Sequence, residues 1–385
     1  MPDCVVNHTA MIFDRGGTRR YGPPLFELTK VAWDRRRDSI SEASIRIEGD
    51  ACSSQAAFLS SIRTHRHELV IFRGNQRVWE GPIGRTTIRG TYAEIHANDV
   101  LAYVKKTPMT KVYDNTYEGA GVTEVTTRIG NIIAYELSTG RIQKDAAGFD
   151  FPVPAWESLD PPVNIVPHLV IHHFPNEART SSKTLAYQMT VGDHLQQLAR
   201  TSGIDFTVVG RAIHIWDVSR SIGEIGTMTE ANFYSDVAVS EYGADHAQAS
   251  YTVGQSGTYG SALNTENLDY YGPWTTIFTA YNEEPISGPS QAELDSQSKR
   301  NLSGRSPAPI EVRVPDNSSV ILTDTLTIND LVPGVRVPLR ATLNARQLAQ
   351  TQKIDNVKVV ETSKGETVQL VLTPTTKADE DVEEP

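Results

Sequence analysis

The chain has 385 residues, with 36 Lys and Arg set against 47 Asp and Glu, giving a formal net charge of -11 and a pI near 5.4. That balance argues against a general nucleic-acid binder, which needs a basic footprint because phosphate contacts supply much of its affinity. The length exceeds what one hydrophobic core usually serves, so about two to four domains are expected. Two cysteines, Cys4 and Cys52, exclude a disulfide framework and a Cys-rich metal box; two reduced thiols are favoured, with a single bridge as the alternative. The opening Met-Pro-Asp-Cys lacks a basic region followed by an apolar run, so no secretion signal is expected. No apolar stretch of about 18 residues suggests a membrane span. Charge is uneven: Asp34-Arg35-Arg36-Arg37-Asp38 is locally basic, whereas residues 378–384 are acidic and read as a solvated, disordered end.

In chain order, residues 1–105 read as an N-terminal β-rich domain. Ala43, Ile45 and Ile47 alternate with Ser44, Arg46 and Glu48, the period of a strand with one buried face. A short helix follows, capped by Ser53 or Ser54, with Phe58 and Ile62 on one side. Leu69–Phe72 and Arg77–Glu80 flank a turn at Gly74-Asn75, which predicts a hairpin, and Thr86–Ile95 supplies further strand. A small twisted sheet or partly closed barrel with one supporting helix accounts for this pattern. Residues 106–180 read as an inserted or peripheral domain, where Val122, Val125, Ile129 and Ile132 predict an amphipathic helix over 120–134. Phe151-Pro-Val-Pro and Asp160-Pro-Pro-Val read as connectors.

Residues 181–250 read as an α+β domain. Its helix spans Val191–Ser202 and leaves through a left-handed Gly203, and strands at Phe206–Val209 and Ala212–Trp216 join across Gly210-Arg211. Residues 251–285, rich in Gly, Ser, Thr and Tyr, read as a connector or interface loop. Residues 286–374 form a C-terminal β-rich domain. It opens with a helix capped by Ser290-Gln-Ala-Glu293 and running to about Leu302. Strands are expected at Glu311–Val314, Ser319–Leu322, Val335–Leu339, Ile354–Glu361 and Glu366–Leu372, the last two as a hairpin. Residues 375–385 form the acidic tail. The fold class is therefore mainly β with supporting helices (α+β), without a fixed-period repeat.

No motif defines a catalytic centre, and no cofactor or metal is expected. His172-His173 point to opposite faces of a strand, and neither they nor His65 and His67 have a ligand set at metal-binding spacing. Gly254-Gln-Ser-Gly257 lacks the register of a nucleophile elbow, and Cys52 has no identifiable histidine partner, so a glycine-rich loop and a small buried thiol explain them. Glu283, Glu284 and Asp330 have no privileged geometry for glycoside hydrolysis. Gly16-Gly17-Thr18 is not a P-loop, and Gly119-Ala-Gly121 is a connection into a helix. Tyr21, Trp33, Trp79, Trp216 and Trp274 are divided between core packing and intermolecular contact. As candidate interface residues we single out Trp33, Arg35, Arg36, Arg37, Trp79, Tyr271 and Trp274. Salt bridges to flanking aspartates or to a partner suit the three arginines better than nucleic-acid contacts.

The succession Leu28-Thr-Lys-Val-Ala-Trp-Asp-Arg-Arg-Arg, Ser41-Glu-Ala-Ser-Ile-Arg-Ile, Val78-Trp-Glu-Gly-Pro-Ile-Gly-Arg and Asn98-Asp-Val-Leu-Ala-Tyr-Val resembles a known family. So do Asp193-His-Leu-Gln-Gln-Leu-Ala-Arg before Gly203-Ile-Asp-Phe, the helix near 290–302 and Asp330-Leu-Val-Pro-Gly-Val-Arg-Val before the hairpin. The family is that of the minor tail or baseplate-hub proteins of long-tailed (siphovirus-type) bacteriophages. The resemblance implies a multidomain tail hub with small β-barrel-like tube domains, assembled as a homotrimer between tail tube and tip. It implies partners among distal tail, tail-tube, tape-measure, tail-tip and receptor-binding proteins, DNA passing through the lumen without specific binding, and a place at the distal end of the virion tail after assembly in the host cytoplasm. It implies no catalysis. A carbohydrate-binding baseplate module, resting on Tyr271-Gly-Pro-Trp274, is the alternative, followed by a cell-wall hydrolase.

Overall fold

Six strands from the first hundred residues make up most of one large sheet: β1 (His8–Asp14), β2 (Leu28–Arg36), β3 (Glu42–Glu48), β4 (His67–Arg73), β5 (Gln76–Ile88) and β6 (Tyr92–Asn98). The structure, a computed structural model, describes residues 4–110, 113, 123–137, 142–144, 150–152, 169–174, 179–180, 188–218, 220–234, 238–241, 243–254, 257–266, 268–279, 290–302, 305, 310–313, 319–343 and 346–374. It is a mixed α/β fold with more strand than helix. The six strands pair antiparallel in the order β1-β4-β5-β6-β3-β2. The alternation read in β3 holds, with Ala43, Ile45 and Ile47 buried. β5 serves two partners by bending at an irregularity between Ile83 and Arg85, pairing with β4 before it and with β6 after it. The single run expected at Thr86–Ile95 is in fact the end of β5 and the start of β6, joined by a turn.

The sheet continues into the far end of the chain. β2 pairs with the C-terminal half of the strand Arg346–Thr362, whose N-terminal half takes Arg336–Leu343 on the same edge and whose other edge takes Gly365–Pro374. Met228–Thr229 completes the ten strands. Strands from the regions expected as 1–105 and 286–374 thus share one sheet and one core, in which Ile12, Val31, Trp33, Ile45 and Ile95 pack with Leu331, Val337, Val357 and Leu370. Among the described residues no ladder closes this path into a barrel. The C-terminal hairpin is longer than its apolar pattern indicated, because polar residues between Arg346 and Lys353 pair with Arg336–Leu343. Ser319–Leu322 is not a strand; Val320 makes a single bridge to Phe233.

The helical segment after β3 begins earlier than Ser53. α1 (Gly49–Ser54) and α2 (Ala56–Ser61) follow directly on β3, and Ser54 closes α1 by donating its Oγ–H back to Ala51 O at 3.0 Å. Burial of Ala51 and Cys52, with Cys52 in the main core, outweighs the capping signal that placed the start later. α3 (Leu101–Lys105), α4 (Val125–Glu136) and α5 (Val191–Thr201) build a second core of Ile129, Ile132, Ile133, Leu195, Leu198, Phe206, Ile213 and Ile215. α4 starts later than expected because Glu124 caps it, its carboxylate accepting from Thr126 N and Thr127 N. α5 matches its expected span to within one residue, and Gly203 leaves it at φ +65°. Ile204–Val209 and Ala212–Asp217 form the expected antiparallel pair, and Val170–His173 lies parallel to the latter.

Within residues 251–285, expected as a connector or interface loop, Tyr259–Leu263 and Thr275–Thr279 are strands; the first pairs antiparallel with Ala249–Val253 and the second lies parallel to it. The short helix α6 (Leu268–Tyr271) lies between Tyr259–Leu263 and Thr275–Thr279, and α7 (Gln291–Leu302) packs against the sheet. The capping box at the start of α7 is present: Ser290 N donates to Glu293 Oε2 at 2.7 Å and Glu293 N to Ser290 Oγ at 3.3 Å. No described helix is long and apolar enough to cross a membrane.

Candidate assembly surfaces and the joints behind them

Most of the candidate interface residues turn out to knit the chain to itself. Trp33, Arg35 and Trp79 are buried, so their side chains offer no surface to a partner in this conformation. Alternation along β2 turns Trp33 and Arg35 toward the main core, whereas in β5 the whole run Val78–Ile83 is buried, Trp79 with it. Arg35 donates to Ile328 O, Leu331 O and Val78 O at 2.9–3.0 Å, and burial lowers its pKa to about 10. Arg36 lies on the opposite side of β2, half-buried, and its Nε donates to Asp34 Oδ2 at 2.8 Å. Tyr21 is half-buried and stacks on His67 at 3.9 Å.

Arg37 belongs to a joint among three parts of the molecule. Its Nε donates to Asp355 Oδ1 at 2.6 Å and its Nη1 to Asp205 Oδ2 at 3.2 Å. Asp38 accepts from Phe206 N and from Arg300 Nη2 of α7, at 2.9 and 3.0 Å, and Arg300 Nη1 also reaches Ile204 O. Burial and the neighbouring Asp205 raise the Asp38 carboxyl, whereas Arg37, Arg300 and Lys353 overcome burial to hold Asp205 below its ordinary range. The basic run thus joins the main sheet, the second core and α7 through charge-assisted hydrogen bonds.

A second joint is built around Glu68. It accepts from Gly16 N at 2.8 Å, from Arg211 Nη1 at 2.7 Å and from the Tyr103 hydroxyl. Glu80 shares Arg211 and pairs with Arg77 at 3.1 Å. Burial, then Glu68 and its hydrogen bond, push the Tyr103 hydroxyl well above its ordinary value. Of the glycines at 16–17, Gly16 thus gives its N–H to a carboxylate of the same chain, while Gly17 N donates to Asp14 O at 3.0 Å. Further along, Gly334, in the Asp330–Val337 motif, has φ +92°. A Cβ there would lie 2.3 Å from Trp216 Cζ2. The motif is therefore a turn on which the buried Trp216 seats.

A third network joins the start of the described chain to its last hairpin. Glu361, with a side chain 0% exposed, accepts from Val6 N, Asn7 N and His8 N at 2.9–3.0 Å and from His8 Nδ1 at 2.7 Å. Trp33 Nε1 donates to His8 Nε2 at 3.2 Å, which places the ring proton on Nδ1, facing Glu361. Sequence reading missed this cluster, as it missed the role of Arg211, because nothing local relates residues 353 positions apart in the one case and 143 in the other.

The exposed aromatic groups lie elsewhere. Trp274 is 60% and Tyr270 80% exposed. The Trp274 indole is held by its Nε1–H to Tyr271 O at 2.6 Å, and Tyr271 packs on His246 at 4.6 Å. His172 stacks on His214 at 4.9 Å as a register partner, and His65 is in a turn at φ +58° instead of on a strand beside the buried His67. Among the described residues no group of three or more His, Cys, Asp or Glu could hold a metal ion. Cys52 is buried, and Asp330 accepts from Thr327 N in a turn. Glu283, Glu284, Gly119 and Gly121 lie outside the described residues.

The fold is similar to that of solved tail proteins, two of them from prophages. A 43 kDa tail protein of prophage MuSo2 from Shewanella oneidensis superposes with a TM-score of 0.54 at 10% identity, over 97% of both chains. A tail protein from Neisseria meningitidis MC58 gives 0.54 at 12% identity, over 96% of this chain and 97% of that one. Prophage tail protein gp18 from Listeria monocytogenes EGD-e gives 0.55 at 7% identity, over 96% and 95%. No family model and no curated protein matches the sequence.

Proposed function

We propose that this chain is a structural component of a bacteriophage distal tail, a hub protein that assembles as a homotrimeric ring where the tail tube meets the tip or baseplate. The observation that carries this reading is a fold shared end to end with phage tail proteins at about one-tenth identity. The joints add a physical reason. A ring subunit must hold its parts in fixed register, and Arg37, Asp38, Arg300, Glu68 and Arg211 do so here with buried, directional contacts. In this reading the main sheet builds a barrel-like hub wall and residues from 106 to 180 lie peripherally. The neighbours are distal tail, tube, tape-measure and tip proteins. The net charge of -11 limits adhesion of DNA passing through the lumen, and the protein performs no catalysis. Native mass measurement of the chain alone and with its neighbouring tail proteins tests the ring. A trimer is expected, and a chain that stays single with every neighbour present refutes it.

A carbohydrate-binding role is the second reading, favoured by the exposed and hydrogen-bonded Trp274 beside Tyr270 and Tyr271. Glycan binding lost in Trp274→Ala, with folding intact, would promote it over a purely architectural role.

A further inference from the structure

The small sheet of Ala249–Val253, Tyr259–Leu263 and Thr275–Thr279 carries more of its large apolar side chains on its outer face than on the face against α7. Its inner face, against α7, holds the buried Ser250, Thr252 and Gly260 together with the half-buried Ala262, Thr276 and Phe278. Ser298 Oγ donates to Thr252 Oγ1 at 2.9 Å, and Asn301 Nδ2 reaches the same oxygen at 3.3 Å. Gly260 lets the strand lie directly on the helix backbone, since a Cβ there would sit 2.1 Å from Leu294 C. The outer face holds the apolar side chains. Its register rows are Thr275, Ala249, Leu263; then Ile277, Tyr251, Ser261; then Thr279, Val253, Tyr259. Ile277 is 70% exposed, Leu263 60%, Tyr259 59%, Tyr251 39% and Val253 37%.

A free-standing sheet with one solvated face puts apolar residues inward and polar residues outward. Here five large apolar side chains stand side by side on the outer face, which marks a face built to be covered. The strand Tyr259–Leu263 is already bound along its edge, as Ser261 N donates to Asp295 Oδ1 and Gln291 Nε2 to Tyr259 O, both at 3.0 Å. The large exposed apolar surface is the outer face.

We propose that this outer face is a contact between copies of the chain, each covering it with surface of the next. The inference deepens the ring reading and rests on it. The charge pattern points to a like partner. None of the nine residues in the three rows is charged, in a chain of net charge -11. Two copies repel wherever acidic surfaces approach, so an uncharged apolar patch is where they can meet without that penalty. A cationic partner would be drawn to acidic surface instead.

The test is sedimentation velocity of the full chain from dilute solution to about 100 µM. It compares wild type, Ile277→Lys, Leu263→Lys and, as a control on an exposed strand of the peripheral region, Val170→Lys. The wild type and the control are expected to self-associate alike. Each face variant is expected to weaken association about tenfold or more, since a lysine there must be desolvated or the contact opened. The melting temperature at dilution should not change, because both side chains are exposed in the single chain. Association unchanged in both face variants would overturn the assigned face while leaving the ring reading standing on another surface. A wild type that remains single throughout this range would overturn the second-copy assignment. Imaging that finds a different tail protein seated on this face would do the same, and the ring itself is judged separately from the intact tail.

Discussion

Glu361 makes the sharpest claim about what holds the two ends of the described chain together. Its carboxylate is fully buried and accepts four hydrogen bonds, three from the backbone of Val6, Asn7 and His8 and one from the His8 ring. A hydrogen bond to a charged group contributes about 1.5–3 kcal/mol, and a buried donor left without an acceptor costs about 1–3 kcal/mol. The donors at Val6 and Asn7 are near solvent and recover water, so Glu361→Ala should lose about 4 kcal/mol rather than the full sum. Glu361→Gln keeps one acceptor oxygen but turns an amide toward N–H donors, and should lose about 2 kcal/mol. The assay is urea unfolding followed by tryptophan fluorescence, together with amide exchange at Val6–His8. Trp33 is a local reporter because its indole donates to His8. The pH sign follows from the same contacts. Burial raises the Glu361 pKa, but the His8 hydrogen bond and the Asn7 and Val6 amides outweigh it, leaving the folded value depressed. Its contribution is therefore present above the ordinary glutamate range, near about 4.3, and is lost as pH falls through the folded value. Loss of less than about 0.5 kcal/mol in Glu361→Ala, with exchange at Val6–His8 unchanged, would refute this reasoning.

Asp99 should act with the opposite sign. Burial pushes its pKa up to about 7 against the lowering effect of the Ser41 and Leu101 amides. The folded chain then holds a proton that the unfolded chain releases, so stability falls as pH rises from about 4 to 7. Comparing melting at pH 5 and pH 7.5 in wild type and Asp99→Asn should show that part of the slope flattened in the variant. Arg211→Ala removes the shared cation between Glu68 and Glu80 and should cost about 3–5 kcal/mol by denaturant titration, more than the exposed Arg19→Ala. Gly334→Ala places a methyl group into the Trp216 ring at a positive φ and should lower the melting temperature by several degrees, with a change in Trp216 emission.

The sequence was legible where one element carries its own period. The β3 alternation, the Gly74 hairpin, α5 with its left-handed Gly203 and the α7 capping box all have their causes within about a dozen residues. It was misleading where tertiary placement decides. Trp33 and Arg35 look like surface features in a charged run, yet strand parity turns them inward. Residues 251–285 read as a connector or interface loop because Gly, Ser and Thr interrupt any period-two apolar pattern in their strands. Joining of the first and last strands through Arg346–Thr362, and the Glu361 cradle, depend on pairings across almost the whole chain. No local pattern encodes them.

The ring placement is tested most directly by imaging the intact tail at a resolution that traces this chain. The account requires several copies closed around the tail axis at the junction of tube and tip, with the main sheet of each copy contributing to the wall. One isolated copy on the tail exterior, with tube and tip joined by other proteins, would contradict it.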